Sequence, residues 1–230
     1  AVMDDPARTA IAASFRRHRV TPVIDESLRD INLDGVEMPP HFALYDPNAL
    51  LLGSSSKLYW GGLRVGWIRA PRPLLGSLIQ ARMIDDLGTS AFDQLVLSEL
   101  LDDGGQTAAA SRARARAARD HLLGQLAHTS PESEAPCPAG GLNLWVTLPR
   151  RISSDITTAA AGHGLLLTPG PRFFTNAPAA GERYLRLPFT LTHDQLTEAV
   201  HRLRSSIDDV LQGVQSQPTA DAQNRLDLIA

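Results

Sequence analysis

The sequence contains few cysteines, few lysines and no long apolar runs, and these shortages exclude several classes of protein. The single cysteine, Cys137, excludes an internal disulfide framework and fits a reducing compartment such as the cytoplasm. No apolar run approaches the roughly 20 residues that a membrane-spanning helix needs. The formal net charge of −3 over 230 residues does not indicate the overall positive charge that is typical of nucleic-acid-binding domains.

Lysine is the most informative shortage. Of the 22 basic residues, 21 are arginines, and Lys57 is the only lysine. An arginine side chain stays protonated, whereas a desolvated lysine amine can lose its proton and attack a carbonyl group. A lone lysine therefore suggests amine chemistry, but a solvent-exposed lysine that remains by chance explains the composition equally well. The neighbouring residues distinguish between these two interpretations.

The first half of the chain has the pattern of an α/β fold with a mostly parallel sheet. Helical composition follows Asp4-Asp5-Pro6, and short buried strands are predicted at 21–27 and 49–53, with a third strand at 63–70. Residues 74–101 read as helical with a break at Gly88, and a further helix runs through 112–126. We expect this part of a large domain to occupy residues 1–110.

The second half reads as a smaller α+β unit, with residues 111–212 forming an interdomain helix and a small domain. Strands are predicted at 142–148 and 182–190, and a strand followed by a turn at 165–174. Helices are predicted at 152–164 and 191–211, the last capped by Thr192. Residues 213–230 are polar and aperiodic, which predicts a mobile tail. The seven histidines show no metal-ligand spacing, so no metal site is predicted.

Two polar groups follow neighbouring predicted strands. Asp25 ends the first strand, and Lys57 comes shortly after the second, within GSSSKLYWGGLRVGW at 53–67. Ligands of open α/β sheets bind at the carboxyl ends of the strands, so both groups could face one site.

Pyridoxal phosphate is a cofactor whose requirements these residues match. It needs an amine for its aldehyde, a carboxylate against its pyridine nitrogen, and hydroxyls and an arginine for its phosphate. Lys57, Asp25, Ser54 with Ser56, and Arg64 supply these groups. Each of these residues also has a purely structural interpretation. Lys57 could be a solvent-exposed surface residue, Asp25 a cap of a strand or helix, Ser54 and Ser56 ordinary turn residues, and Arg64 an ordinary arginine among 21.

The motif also resembles the lysine motif of fold-type I pyridoxal-phosphate enzymes, the aspartate aminotransferase superfamily. VIDES at 23–27 stands where that superfamily has its nitrogen-binding aspartate, 32 residues before Lys57. TPGPRFF and YLRLPFT resemble its small domain, where the resemblance implies that Arg186 binds the substrate α-carboxylate. A structural ion pair is the alternative role for Arg186.

Within the superfamily, the chain looks closest to the aminotransferase-like domain of MocR-type regulators, in which a GntR-like winged helix precedes the cofactor domain. WGGLRVGWIRAP and the helix containing QLVLSELL carry this resemblance. It implies the C-terminal half of the domain, with the Gly-rich phosphate turn, the ring-stacking aromatic and the DNA-binding domain lying before Ala1. One departure is Ser27, which stands where the family has an aromatic residue near the cofactor.

Three functions follow from these observations. The first is a sensor of an amino acid or other small amine in a homodimeric transcription factor, with DNA bound through the preceding domain. The second is a class I/II aminotransferase in which Lys57 also moves a proton. The third is a non-functional remnant that cannot fold alone.

Overall fold

The computed structural model describes residues 3–86, 88–213 and 228–229, and divides into two compact units. The first unit contains the described residues up to 113 together with 139–141, and the second contains 114–138 and the described residues from 142 onward. Neither contains, among the described residues, a helix long and apolar enough to cross a membrane.

The first unit begins with a capped helix and continues into a small sheet. Helix α1 spans Asp5–His18, and Asp4 caps it by accepting a hydrogen bond from the Ala7 N–H at 2.9 Å. The strands are β1 (Val23–Asp25), β2 (Leu50–Ser54) and β3 (Gly66–Arg69), and the helices that follow are α2 (Arg72–Asp85), α3 (Ala91–Asp102) and the first part of α4 (Gln106–Thr129). The predicted break at Gly88 separates α2 from α3.

The sheet has the order β1-β2-β3, with β1 and β2 parallel but β2 and β3 antiparallel. The antiparallel third strand was not predicted, and it starts at Gly66 rather than at residue 63. Its direction follows from the short turn at 55–65, which returns the chain beside β2 without a crossover helix. The expectation that the first strand is buried was also too strong, because Val23 of β1 is 60% exposed. Every residue of β3 is exposed as well.

Two apolar clusters hold the first unit together. One joins α1 to β2 and consists of Ala12, Phe42, Ala49 and Leu51. The other joins the turn after β2 to α3 and consists of Leu63, Val65 and Leu97. No described side chain of α2 is buried.

The second unit contains the rest of α4, β4 (Asn143–Thr147), α5 (Ser153–Gly162), β5 (Leu165–Leu166), β6 (Tyr184–Pro188), α6 (His193–Gln212) and β7 (Leu228–Ile229). Strands β4 and β6 pair antiparallel, and β5 pairs with β7 in parallel. Helix α6 starts as predicted: Thr192 accepts from the Gln195 N–H, and Gln195 accepts in return from the Thr192 N–H.

The core of the second unit lies between the inner face of the β4–β6 sheet and the helices. Its buried residues alternate along the strands, as a half-buried sheet requires: Leu144 and Val146 on β4, Leu185 and Leu187 on β6. Leu196, Val200 and Leu203 of α6 are buried at helical spacing. Of the tail predicted at 213–230, residues 214–227 and 230 lie outside the described residues.

Candidate functional site

The sheet places Asp25 and Lys57 at the same end of two adjacent parallel strands. Asp25 is the last residue of β1 and pairs with Leu52, and Lys57 lies in the turn that follows Ser54, the last residue of β2. Both side chains are exposed. The structure therefore brings together the two groups that the sequence placed at neighbouring strand ends.

Asp25 is held as a carboxylate by its local surroundings. Hydrogen bonds from the Ser27 hydroxyl and the Ser27 backbone N–H keep the pKa of Asp25 below its ordinary value, and slight burial opposes them. The positive charge of Lys57 lowers this pKa further, so the two groups interact electrostatically. The Ser27 backbone nitrogen lies 2.8 Å from Oδ1 of Asp25.

The three serines of the turn, Ser54, Ser55 and Ser56, differ in burial and in hydrogen bonding. Ser55 is buried, and both its N–H and its hydroxyl donate to the Val65 carbonyl oxygen, at 3.1 and 2.7 Å. Ser54 and Ser56 are half-buried, and the Ser54 hydroxyl accepts from the Ser56 N–H at 3.3 Å. Ser54 and Ser56 thus remain candidates for an outside ligand, whereas Ser55 anchors the turn.

Arg64 adopts a left-handed backbone conformation, with φ of 51°. Residues other than glycine rarely adopt this conformation, and such strain clusters at functional sites. Its guanidinium is exposed and donates a long hydrogen bond, 3.5 Å, to the Gly61 carbonyl oxygen. Arg64 comes just before β3, whose first residue Gly66 pairs with Ser54. The turn therefore places Arg64 and Ser54 at one end of the sheet.

Gly53 is required by the packing of a tryptophan. A Cβ added at Gly53 would collide with the Trp67 ring, which crosses it from the neighbouring strand. Trp67 itself is half exposed. Tyr59 packs against the cluster around Leu97. Burial and the negative charges of nearby aspartates raise the pKa of the Tyr59 hydroxyl.

Glu26, beside Asp25, was missed by the sequence analysis. Its side chain is 9% exposed, accepts from the Phe42 N–H at 3.1 Å, pairs with His41 and lies 3.7 Å from the Arg8 guanidinium. Burial raises the pKa of Glu26, but the bonds from His41 and Phe42 outweigh it, so the pKa falls below its ordinary value. The sequence signal that could have revealed Glu26 is the pair of acidic residues at the end of a strand. The Asp25 side chain is exposed, whereas the Glu26 carboxylate holds the later segment at His41 and Phe42 in place.

Arg186 belongs to the second unit and lies on β6, directly opposite Trp145 on β4. It is exposed, and its guanidinium carbon lies 4.9 Å from the centre of the Phe173 ring. Within the described part of the chain, its side chain has no ion pair and no hydrogen bond. The structural ion pair considered as its alternative role is therefore not formed among those residues. Around it lie aromatic rings that the sequence analysis did not consider as site residues.

Three comparisons place these features among known proteins. A 2-aminoadipate transaminase of Thermus thermophilus is 29% identical over 214 residues, which cover 90% of this chain and 53% of the transaminase. An HTH-type transcriptional regulator of Bacillus subtilis, YdfD, is 27% identical over 217 residues, covering 91% of this chain and 44% of the regulator. The chain thus spans about half the length of these curated relatives. No family model matches.

Solved structures show the same likeness. LysN, the α-aminoadipate aminotransferase of Thermus thermophilus, solved with N-(5'-phosphopyridoxyl)-L-leucine, superposes with a TM-score of 0.79 at 27% identity. The match covers 91% of this chain and 55% of LysN. The chain therefore has the α/β fold of part of a fold-type I aminotransferase-like domain, as the sequence predicted. Its relatives include both aminotransferases and HTH-type regulators, which confirms the resemblance drawn from the motifs.

Proposed function

We propose that this chain is the pyridoxal-phosphate-binding part of an aminotransferase-like domain that senses an amino acid or related amine for a MocR/GntR-type transcriptional regulator. One observation carries the proposal. The only lysine of the sequence lies at a strand end where its charge acts on Asp25, a carboxylate with a lowered pKa. The resemblance to a structure solved with a phosphopyridoxyl ligand supports the same cofactor.

The residues present fit this cofactor. Lys57 is exposed, and its amine would hold the aldehyde carbon. Asp25, whose lowered pKa keeps it ionised at neutral pH, would accept a hydrogen bond from a protonated pyridine nitrogen. Ser54, Ser56 and Arg64 supply hydroxyl and guanidinium donors for a phosphate. When bound, pyridoxal phosphate supplies an electron sink for carbanion chemistry at an amino acid Cα.

Arg186 is the proposed site for the ligand carboxylate. A guanidinium offers two parallel N–H donors that match the two oxygens of a carboxylate. The guanidinium carbon lies 4.9 Å from the centre of the Phe173 ring. Within the described part of the chain the Arg186 side chain makes no ion pair and no hydrogen bond, so its N–H donors are available to a ligand. An amino acid would thus be recognised through its carboxylate at Arg186, and an amine without a carboxylate would lack this contact.

Regulation requires that ligand binding shift the protein between two states, and a ligand shifts that equilibrium only by its differential affinity. DNA contact would come from a separate N-terminal domain of the intact protein, which the HTH-type relatives support. We place this regulator in the cytoplasm.

We also propose a homodimer, because the first unit exposes large apolar side chains on two helices. These are Leu74, Leu75, Ile79, Met83 and Ile84 on α2, and Phe92, Leu95 and Leu101 on α3.

The proposal is tested by locating the cofactor. The intact protein, loaded with pyridoxal phosphate, should show a visible absorption band, and borohydride reduction should leave a pyridoxyl group on the Lys57 peptide. Lys57→Arg keeps the positive charge but removes the nucleophile, so this variant should fold normally and show no band. A band that persists in Lys57→Arg, or a label on another residue, would refute the assignment.

Catalysis by an aminotransferase is the second candidate, favoured by the transaminase relative. In that case Lys57 would also act as the base that removes and returns the proton at the amino acid Cα. The two functions separate in one assay. A sensor binds the amino acid with a spectral change but forms little 2-oxo acid, whereas an aminotransferase converts amino acid and acceptor oxo acid continuously. Linked DNA binding that responds to the same amino acid would favour the sensor.

A further inference from the structure

The outer face of the β4–β6 sheet carries a cluster of aromatic rings beside Arg186. The inner face is buried, but Trp145, Tyr184 and Arg186 alternate with those buried residues and point to the other face. Trp145 and Arg186 are directly opposite in the strand register. Side chains paired in this way lie within contact distance, so Trp145 and Arg186 share one surface.

Two further rings join this face from the turn after β5. We call the set of four rings the aromatic wall: Trp145, Phe173, Phe174 and Tyr184. Trp145 lies 5.5 Å from Phe173 in an edge-on arrangement and 5.4 Å from Tyr184 in a stacked one. Phe174 stacks on Tyr184 at 5.6 Å. These separations are those of interacting aromatic pairs.

The rings of the aromatic wall are partly exposed to solvent. Trp145, Phe174 and Tyr184 are half-buried, and Phe173 is 40% exposed. A cluster of rings that served only to fill a core would be buried, because an apolar side chain gains its stabilisation by leaving water. Partial exposure leaves ring surface that a ligand can cover.

The aromatic wall also contacts the proposed carboxylate-binding group. The Arg186 guanidinium lies over Phe173 at 4.9 Å, within the range of a cation–π contact. A carboxylate bound at the N–H edge of that guanidinium, at about 2.9 Å, places the ligand Cα a few ångströms from the rings. The side chain on that carbon is then within reach of Phe173 and Trp145.

The structure assigns a ligand class to this arrangement: we infer that the aromatic wall receives the side chain of the amino acid held by Arg186, and that this side chain is aromatic. The inference rests on the proposed function of Arg186. The four rings carry no formal charge, so an acidic or basic side chain gains no ion-pair partner from them. An aromatic side chain gains edge-on or stacked contacts with rings already spaced for them.

The test compares ligands on the intact protein loaded with pyridoxal phosphate, with the visible spectrum as readout. L-phenylalanine, L-alanine and L-2-aminoadipate are titrated separately into the unsubstituted protein and into Trp145→Leu and Trp145→Phe. We expect L-phenylalanine to bind more tightly than the other two. Trp145→Leu should weaken L-phenylalanine by about three- to tenfold, the size of one aromatic pair, with little change for L-alanine. Trp145→Phe keeps a ring and should restore most of the preference.

The outcomes separate this inference from the proposed function. Equal weakening of L-phenylalanine and L-alanine in Trp145→Leu, or tighter binding of L-2-aminoadipate than of L-phenylalanine, overturns the aromatic subsite while leaving the cofactor site in place. Failure of the protein to load cofactor, or to respond to any amino acid, overturns the proposed function and the inference with it. Thermal unfolding of both variants establishes that they are folded. If Trp145→Leu is unfolded, the ligand preference of the unsubstituted protein alone decides the inference.

Discussion

Ser55 donates both its backbone N–H and its hydroxyl to the Val65 carbonyl oxygen, closing the turn that carries Lys57. This pair of bonds joins the end of β2 to the residue before β3, ten positions further along the chain. Below it, Val65 and Leu63 are buried against Leu97 of α3. The lysine is therefore exposed on a turn whose two ends are fixed by burial and by hydrogen bonds.

Ser55→Ala should destabilise the protein while Ser56→Ala should not. Losing the buried hydroxyl bond of Ser55 should lower the free energy of unfolding by about 1 kcal/mol, since the Ser55 N–H still satisfies Val65. Ser56→Ala should change stability by less than about 0.5 kcal/mol but weaken cofactor loading, because Ser56 is the proposed phosphate donor. Urea unfolding and a cofactor titration on each variant measure both effects. The reverse pattern would show that Ser55, not Ser56, faces the phosphate.

Asp25→Asn should slow ligand exchange without preventing covalent attachment at Lys57. An amide cannot stabilise a protonated pyridine nitrogen as an ionised carboxylate does, so we expect the rate to fall by about tenfold or more. Stopped-flow absorbance with an amino acid measures this rate. Asp30→Asn is the control, because Asp30 is an exposed acid of the same segment. Equal rates in the Asp25→Asn variant and the unsubstituted protein would remove Asp25 from the site.

Arg186→Ala should weaken amino acids far more than amines that lack a carboxylate. The loss of a charge-assisted carboxylate partner costs on the order of 2–5 kcal/mol, and the simple amines never make this contact. Titrating L-phenylalanine and phenethylamine into the cofactor-loaded protein compares the two classes. Arg172→Ala, at an exposed arginine next to Phe173, is the control and should affect neither strongly. Equal losses for both ligand classes would contradict the carboxylate role.

Glu26→Gln should lower stability at neutral pH and reduce its dependence on acid pH. The pKa of Glu26 is lower in the folded protein than in the unfolded chain, because the His41 and Phe42 bonds outweigh burial. A carboxyl group of this kind stabilises the fold above its unfolded pKa, and that contribution is lost as the pH falls through its folded pKa. Replacement should cost about 1–3 kcal/mol at pH 7.

Unfolding measured at a series of pH values, from neutral into the acid range, tests the Glu26 prediction. The gap in stability between the unsubstituted protein and Glu26→Gln should narrow as the pH falls. Glu37→Gln, at an exposed acid of the same unit, is the matched control for a general change in charge. A gap that stays constant throughout the acid range would show that the ionisation of Glu26 does not stabilise the fold.

Local patterns of the sequence were enough to predict most of the secondary structure. Thr192 and Gln195 form the capping box of α6, which needs only residues three apart. Gly88 separates two helices for an equally local reason, since glycine disfavours a helix interior. Lys57 and Asp25 stood out because their residue types and spacing already describe a chemical site. Features of this kind can be predicted from the sequence because they depend on local residue patterns and spacing.

The tertiary structure alone decided the direction of β3 and the different roles of the three serines. Nothing in the pattern SSSK distinguishes Ser55 from Ser56, and only pairing with Val65 buries the one and leaves the other half open. Arg186 could likewise be named from its motif, but its contact with Phe173 and its place beside Trp145 required the strand register and the turn after β5. These relationships join residues distant in the chain, and packing of the whole unit selects them. The sequence by itself determined which chemical groups are present and where the strands end, and the fold determined which groups meet.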